Sequence, residues 1–592
     1  MSYTPKYLIE NKNNYPNEPA LSVKIDDEWS TLTWLEYYEY VVKIAKSLIG
    51  YNLNVGDKGA IYSYNRREWF GCYSAMQMLN CVSVAVYHTS SSSEVEWIVG
   101  NSDSKIVFVG HNPNDNGEDD KMPINRLIAI IDKLPDIEKI VLMGDDVAPV
   151  NHEKIINWNE FIEKGNDISD DEVEARMKTI NGDDTSSLIY TSGTTGNPKG
   201  VELTHNNFKV ELDSVGDVLK FDQGDRYVSW LPLAHVFGQL VDNHYWVRRA
   251  LHMSIVDSPL NTVDYAKEVQ PHLFISVPRI YEKVYSNLKA AIETKAILKI
   301  GLKIPLLSSI FKKKLRQAAG FGSNRFSISG AAPINPKILE FFHYLGIPIY
   351  EGYGMTENTA GISINYGGGN KIGSVGKCMP FFDLKIASDG EVLIKGDNVM
   401  KGYYKNPKAT EETIIDGWLQ TGDVGKIDSD GYLFITGRKK EIYVSSSGKN
   451  VAPLVIEESM KSIPIVSQCF LVGDNRKFCS ALITLDMSVI LRDHIGVDVN
   501  EIPKDPSKQN EMILANNKKL SDYTDNQDIF EKVSDDIQKL NQNFSSPEQI
   551  KKFSILPRDF SIDDGELTPT LKIRRKQINE NWASVIEDMY SE

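Results

Sequence analysis

Tyr190-Thr191-Ser192-Gly193-Thr194-Thr195-Gly196-Asn197-Pro198-Lys199-Gly200 decides how this chain is read. The run leading into it, Ser187-Leu188-Ile189-Tyr190, is short and almost wholly apolar, as a buried strand would be. Beyond it, Thr204 stands where a side-chain oxygen can cap a helix beginning at His205-Asn206-Asn207. Hydroxyl residues and glycines alternate through the turn. Glycine lets a backbone approach a ligand closely, and successive N–H groups with Ser and Thr hydroxyls suit phosphate oxygens. Lys199 adds a positive charge. The spacing excludes a Walker A loop, which requires Gly, four residues, then Gly-Lys-Ser/Thr. Counted from Gly193, Pro198 falls on the second glycine and Gly200 follows the lysine. A phosphate-binding turn between a strand and a helix is expected, but not a P-loop NTPase.

The chain has 592 residues, 41% of them apolar and 25% charged, with a formal net charge of −16. This length exceeds one hydrophobic core and suggests roughly two to four domains. The composition is globular rather than disordered. The acidity argues against nucleic acid as the main partner. Cys72, Cys81, Cys378, Cys469 and Cys479 include no CxxC pair, so neither a disulfide framework nor a zinc site is expected, and a reducing cytoplasm fits. Met1-Ser2-Tyr3-Thr4-Pro5-Lys6 has no apolar signal core, and no run of about eighteen apolar residues occurs.

Gly59-Ala60-Ile61-Tyr62-Ser63 and Ser104-Lys105-Ile106-Val107-Phe108-Val109 read as buried strands, and Arg67 to Leu79 between them has helical spacing. Such alternation predicts a layered α/β domain with a largely parallel sheet. Asn112 to Lys121 is polar and acidic and is expected to be a surface loop. A domain boundary is placed at Arg438-Lys439-Lys440-Glu441, giving a large domain over 1–437 and a smaller α+β domain over 438–592. Within the latter, the polar stretch 500–535 is expected to form surface helices and loops. Residues 295–316 mix basic and apolar residues, and Gly301 and Pro305 divide the stretch into two helical pieces. Two readings stand for it: peripheral contact with an anionic membrane surface, or a helix packed on the core with its lysines solvated.

Further motifs carry chemistry. In Tyr350-Glu351-Gly352-Tyr353-Gly354-Met355-Thr356-Glu357, the glycines admit a ligand against the backbone and Tyr353 offers a flat face to a purine. Thr356 can bond a phosphate, and Glu357 offers oxygen to Mg²⁺. Upstream, Ser327-Ile328-Ser329-Gly330-Ala331-Ala332-Pro333 supplies a wall of small residues at Gly330, Ala331 and Ala332. Asp423, in Thr421-Gly422-Asp423-Val424-Gly425, is a carboxylate on a Gly-flanked loop, suited to a ribose diol. Thr436-Gly437-Arg438, Ser445-Ser446-Ser447-Gly448-Lys449 and Leu567-Thr568-Pro569-Thr570-Leu571-Lys572 follow.

Taken in order across nearly the whole chain, these segments resemble the adenylate-forming enzymes: acyl-CoA synthetases, luciferases and nonribosomal peptide adenylation domains. Leu231-Pro232-Leu233-Ala234-His235-Val236-Phe237-Gly238 and the length are most similar to long-chain fatty acyl-CoA synthetases. The ending 567–572 is similar to the bubblegum-type branch and its bacterial relatives. The resemblance implies an adenylating domain with a mobile lid. It also implies two half-reactions: a fatty acid and ATP·Mg²⁺ give acyl-AMP, and coenzyme A then gives the thioester. Residue by residue, it implies that Thr191, Ser192, Gly193, Thr194, Thr195, Gly196 and Lys199 hold the β- and γ-phosphates. Glu351, Gly352, Tyr353 and Gly354 would carry the adenine, with Tyr353 stacking. Thr356 would meet the α-phosphate, Glu357 Mg²⁺, and Asp423 and Arg438 the ribose. His235 would lie beside the acyl and phosphate groups, and Lys572 would be the catalytic lysine of adenylation. Lys440 would be the hinge, and the Gly448 region would face the pantetheine arm.

Two segments depart from the family pattern. The commoner lysine motif is Pro, four residues, Gly-Lys, whereas Pro569 and Lys572 are three apart with Leu571 for the glycine, leaving Lys576 as an alternative. Gln239 stands where some long-chain members carry a tryptophan gate. Two rival functions are an adenylating enzyme that serves a carrier-protein thiol, and a lipid-surface binding protein with a decayed site. Against decay, Lys199, Glu357, Asp423, Arg438 and Lys572 are all present.

Overall fold

The computed structural model describes every residue except 1–2, 111–121, 145–150, 192–196, 367–368, 445–449, 500, 563, 569–571 and 592, together with the side chains of Leu306 and Val444. The expected surface loop 112–121, the turn residues Ser192 to Gly196, Gly448 and Pro569 to Leu571 thus lie outside the described residues.

The chain is a mixed α/β fold with a large N-terminal part and a smaller C-terminal part. Two sheets dominate the N-terminal part. One runs Gly402–Tyr403, Lys199–Thr204, Thr185–Thr191, Val82–Val86, Lys58–Ser63, Ser104–Gly110, Lys139–Leu142, Ile155–Ile156. From Thr185–Thr191 to Ile155–Ile156 its pairings are parallel. The strands are buried nearly end to end, which explains why they read as continuous apolar runs rather than alternating ones. The second sheet contains the parallel strands Arg226–Ser229, Leu273–Ser276, Phe326–Ser329 and Ile349–Tyr353. The helix Arg67–Met78 buries every residue from Trp69 to Met78, so it is a core element rather than an amphipathic surface helix.

Capping boxes fix several helix starts. Thr33 and Glu36 begin Trp34–Gly50, Ser91 and Glu94 begin Ser92–Asn101, and Thr204 with Asn207 begins His205–Val218 as expected. The strand–turn–helix reading of the phosphate turn needs one correction. Lys199–Thr204 is itself a strand, antiparallel to Thr185–Thr191, and the helix starts only after it. The two strands therefore form a hairpin, with Thr191 directly opposite Lys199.

A smaller sheet carries Trp418–Ile427 and Leu433–Arg438, which pair antiparallel. Asp423 is thus on a strand and not on a loop. Gly422, with φ of +72°, and an irregularity after Val424 explain why the sequence looks loop-like there. Beyond residue 438, a separate core gathers around Val466–Val472, Cys479–Leu485 and Ile550–Ile555. The polar stretch 500–535 is only partly at the surface. Ile513, Leu520, Tyr523, Ile529 and Val533 turn into that core at helical spacing.

Candidate active site

The parallel strands of the second sheet end at Ser229, Ser276, Ser329 and Tyr353, and their carboxyl ends lie along one edge of that sheet. In open α/β sheets this edge is where ligands bind, because loops there can vary without disturbing the strands. His235 follows the first of these strands, Gly330-Ala331-Ala332 the third and Gly354 the fourth. The Phe237 ring packs over Gly330, where a Cβ would lie 3.1 Å from it. Ala331 adopts a φ of +68°. At Gly354 a Cβ would overlap the Ala360 carbonyl oxygen, so no side chain fits.

Tyr353, Asp423 and Arg438 meet. The Tyr353 hydroxyl donates to Asp423 Oδ2 at 2.7 Å, and Arg438 Nε donates to Asp423 Oδ1 at 2.8 Å. Burial and the Asp423 charge push the Tyr353 pKa well up, so its hydroxyl stays a donor. Burial works against the Arg438 charge, but Asp423 and Glu441 outweigh it and raise its pKa. A carboxylate accepts about four hydrogen bonds, so Asp423 keeps capacity for a diol. Glu351, on the same strand as Tyr353, is buried. Its Oε2 has no partner among the described residues, and burial pushes its pKa up to about 7.

Glu357 is buried beside Thr356 in a short 3₁₀ turn, Thr356–Asn358. Its Oε1 accepts the Tyr403 hydroxyl at 2.8 Å. Tyr403 is a residue that motif reading missed. It sits on the edge strand Gly402–Tyr403, which pairs with Lys199–Thr204, and Lys199 Nζ lies 4.7 Å from its ring centroid. Tyr403 therefore joins the lysine end of that hairpin to Glu357. Mg²⁺ typically takes one or two carboxylates plus substrate phosphates. Glu357 fits that demand as one buried hard oxygen donor. Among the described residues no cluster of three or more His, Cys, Asp or Glu forms a cage of its own.

His235 Nδ1 accepts the Phe237 N–H at 3.2 Å and so caps the turn Val236–Gly238. Burial, followed by the charge of Lys572, pushes its pKa down to about 3. The ring is neutral at pH 7, and with Nδ1 accepting, the proton belongs on Nε2. Gln239, at the gate position, is fully buried. Ser187 Oγ donates to its Oε1 at 2.9 Å, and its Nε2 has no partner among the described residues.

Lys572 comes from the C-terminal part. Its backbone is pinned by Thr568, whose N–H donates to the Lys572 carbonyl at 2.8 Å and whose Oγ1 accepts the Lys572 N–H at 3.0 Å. The side chain is exposed to solvent. Desolvation and then the Arg438 charge lower its pKa, while Asp423, Glu357 and Glu441 draw it up. Four predicted site residues thus share one electrostatic neighbourhood with Lys572. Lys576, the alternative, points elsewhere: it is exposed and lies 3.8 Å from Glu580 on the helix Arg575–Asn581. Lys440 lies in the exposed turn after the strand Leu433–Arg438. Its neighbour Lys439 is clamped by Asp389 at 2.6 Å and Glu391 at 2.8 Å. Among the described residues no helix is long and apolar enough to cross a membrane.

Comparison with known proteins gives consistent matches. Residues 8–404 match the family described as AMP-binding enzyme, and residues 440–495 and 506–592 match the AMP-binding enzyme C-terminal domain. The long-chain-fatty-acid–CoA ligase FadD15 of Mycobacterium bovis is 32% identical over 626 residues, covering 99% of this chain and 96% of that protein. The long-chain-fatty-acid–CoA ligase ACSBG2 of Xenopus laevis is 29% identical, covering 98% and 83%. In fold, the chain is similar to the anthranilate CoA ligase AuaEII in complex with anthranoyl-AMP, with a TM-score of 0.74 at 18% identity, covering 99% of each chain.

Proposed function

The chain belongs to the AMP-binding enzyme family, and from that premise we propose that it is an ATP-dependent, AMP-forming ligase that converts a long-chain fatty acid to its CoA thioester. The observation that carries this reading is the near-full-length similarity to long-chain-fatty-acid–CoA ligases, at 32% identity over 99% of the chain, and it is supported by the bonded set Tyr353, Asp423 and Arg438.

In the first half-reaction a carboxylate oxygen attacks the α-phosphorus of ATP. The new C(O)–O–P bond forms as the bond to pyrophosphate breaks. Negative charge grows on phosphate oxygens, so donors already in place lower the barrier most. The Lys572 ammonium, the Thr356 hydroxyl and the His235 Nε2–H are those donors. Thr191, Lys199 and the turn residues 192–196 hold the outgoing phosphates. Glu357 would hold Mg²⁺, which would offset phosphate charge. Tyr353, with Gly352 and Gly354, carries the adenine, and Asp423 with Arg438 the ribose. In the second half-reaction the CoA sulfur attacks the acyl carbonyl carbon and AMP leaves with the bonding pair. The domain division at 438, with rotation at Lys440, presents Lys572 for the first step and the Gly448 region for the second.

The test is incubation with ATP, Mg²⁺, CoA and saturated acids of graded chain length, following AMP and thioester together. AMP and thioester produced in equal amounts, and most with long-chain acids, is the expected result. AMP without thioester would point to a different thiol acceptor, and no AMP with any acid would overturn the reading.

A further inference from the structure

Large apolar side chains that remain exposed are scattered over most of this molecule, but five of them fall within fourteen residues. Ile297, Ile300, Ile304, Leu307 and Ile310 are 40% exposed at Ile304 and up to 70% at Ile297. They lie on the helical hairpin formed by Ala296–Gly301 and Pro305–Ala318. The hairpin is closed from inside. Leu302 and Leu315 are buried, and the Phe311 ring packs against Gly301, where any Cβ would overlap it. The outward face is thus fixed and is not a frayed end.

Basic residues surround this apolar tip. Residues 294–319 contain seven Lys or Arg and no Asp or Glu, in a chain of net charge −16. On Pro305–Ala318, helical geometry places Lys314 seven residues beyond Leu307 on the same exposed strip, with Lys313 beside it. Lys299 and Lys303 flank the isoleucines on the other arm. None of these four lysines forms an ion pair among the described residues. Lys312 instead lies over the Tyr344 ring, 3.6 Å from its centroid, at the base of the hairpin.

We propose that this hairpin is a docking surface for an anionic lipid bilayer. The isoleucine tip enters the headgroup–acyl boundary, and Lys299, Lys303, Lys313 and Lys314 engage lipid phosphates. Exposed apolar surface of this density marks an interaction site, and a cationic rim selects a negatively charged partner. The charge pattern disfavours a second copy of the same face, which would bring these four lysines against their own copies with no acid from residues 294–319 between them. The surface argument is independent of catalysis. Its value to the enzyme rests on the fatty-acid reading, because a long-chain acid partitions into bilayers and would be taken up where it resides.

Flotation of the intact protein with vesicles tests this directly, without any turnover. Wild type should float with phosphatidylcholine–phosphatidylglycerol vesicles and much less with phosphatidylcholine alone, and high salt should release it. Lys303→Gln/Lys313→Gln/Lys314→Gln should weaken partitioning by up to about a hundred-fold. Ile300→Ser/Leu307→Ser should weaken it by about ten-fold or more. Both variants should keep wild-type turnover of a short, water-soluble acid without vesicles, which shows that they are folded. Wild type that fails to float, or variants that float like wild type, would overturn the proposal. So would a wild-type dimer, seen by light scattering, that Ile300→Ser/Leu307→Ser converts to monomer.

Discussion

Tyr403 shows what a single side chain can contribute outside any motif. Its hydroxyl is bonded to Glu357, its ring faces Lys199, and its backbone pairs opposite Val201 on the hairpin of Thr185–Thr191 and Lys199–Thr204. Tyr403→Phe removes only the hydroxyl, leaving the ring contact and strand pairing in place. Glu357 Oε1 then loses its donor, and the carboxylate loses its fixed orientation. Hydrogen bonds to a charged group are worth about 1.5–3 kcal/mol, so adenylation should slow by roughly 10- to 100-fold. ATP–pyrophosphate exchange measured against Mg²⁺ concentration reports this, and the apparent Mg²⁺ requirement should rise. Unchanged exchange would reduce the hydroxyl to packing. Tyr353, Asp423 and Arg438 are legible in the sequence because each sits in its own Gly-rich motif. Tyr403 is not, because its role depends on an edge strand meeting a hairpin some two hundred residues away.

At the scale of elements, apolar runs give strands well and polar interruptions mislead. Ser187 to Tyr190 and Gly59 to Ser63 lie within buried strands, as their composition demands. Lys199–Thr204 escapes notice because Gly200 and Glu202 break its apolar pattern. The segment Gln239–Tyr245 is the strongest case. It is π-helical and fully buried, although it includes Gln239, Asp242, Asn243 and His244. No periodicity argument places Asp-Asn-His in a core. The structure accommodates them by tertiary pairing: Thr4 and Tyr73 bond the two His244 nitrogens at 2.6 and 2.7 Å, and Ser229 Oγ lies 2.5 Å from Asp242 Oδ2. Burial, partly offset by the Ser229 bond, pushes Asp242 up to about 8. The folded state therefore keeps a proton that the unfolded state releases near the ordinary Asp value of about 4. This contribution is fully present below pH ~4 and is lost as pH rises to 8, at up to about 1.4 kcal/mol per pH unit. Asp242→Asn cannot ionise and should escape that loss. The urea midpoint of the variant relative to wild type should rise steadily from pH 5 to pH 8.5. A constant difference would mean that Asp242 is ionised in the fold.

The whole molecule poses the question of which step this arrangement serves. The Lys572 charge acts on His235, and Arg438, Asp423 and Glu357 act on Lys572 in turn, a disposition that suits the proposed adenylation step. One contact that holds it there is Arg574 Nη2 to Glu94 Oε1 at 3.4 Å, two residues beyond the lysine and across to the first turn of Ser92–Asn101. The sequence gives the lysine, through its motif, but not this latch, because an Arg and a Glu 480 positions apart carry no joint signal. If the C-terminal part must swing about Lys440 before CoA can react, Lys572 and Arg574 act in one half-reaction only. Lys572→Ala should abolish acyl-AMP formation while leaving thioester formation from supplied acyl-AMP and CoA near wild type. Arg574→Gln removes a partly exposed ion pair worth up to about 1 kcal/mol, so adenylation should slow only a few-fold, again with the second step spared. Glu94→Gln should match Arg574→Gln, and the double variant should be no slower than either single one, as expected for partners in one contact. Measured separately, the two half-reactions distinguish a swinging lid from a fixed one: equal losses in both steps for Lys572→Ala would mean that the lysine stays in place through both, and the hinge at Lys440 would have no work to do.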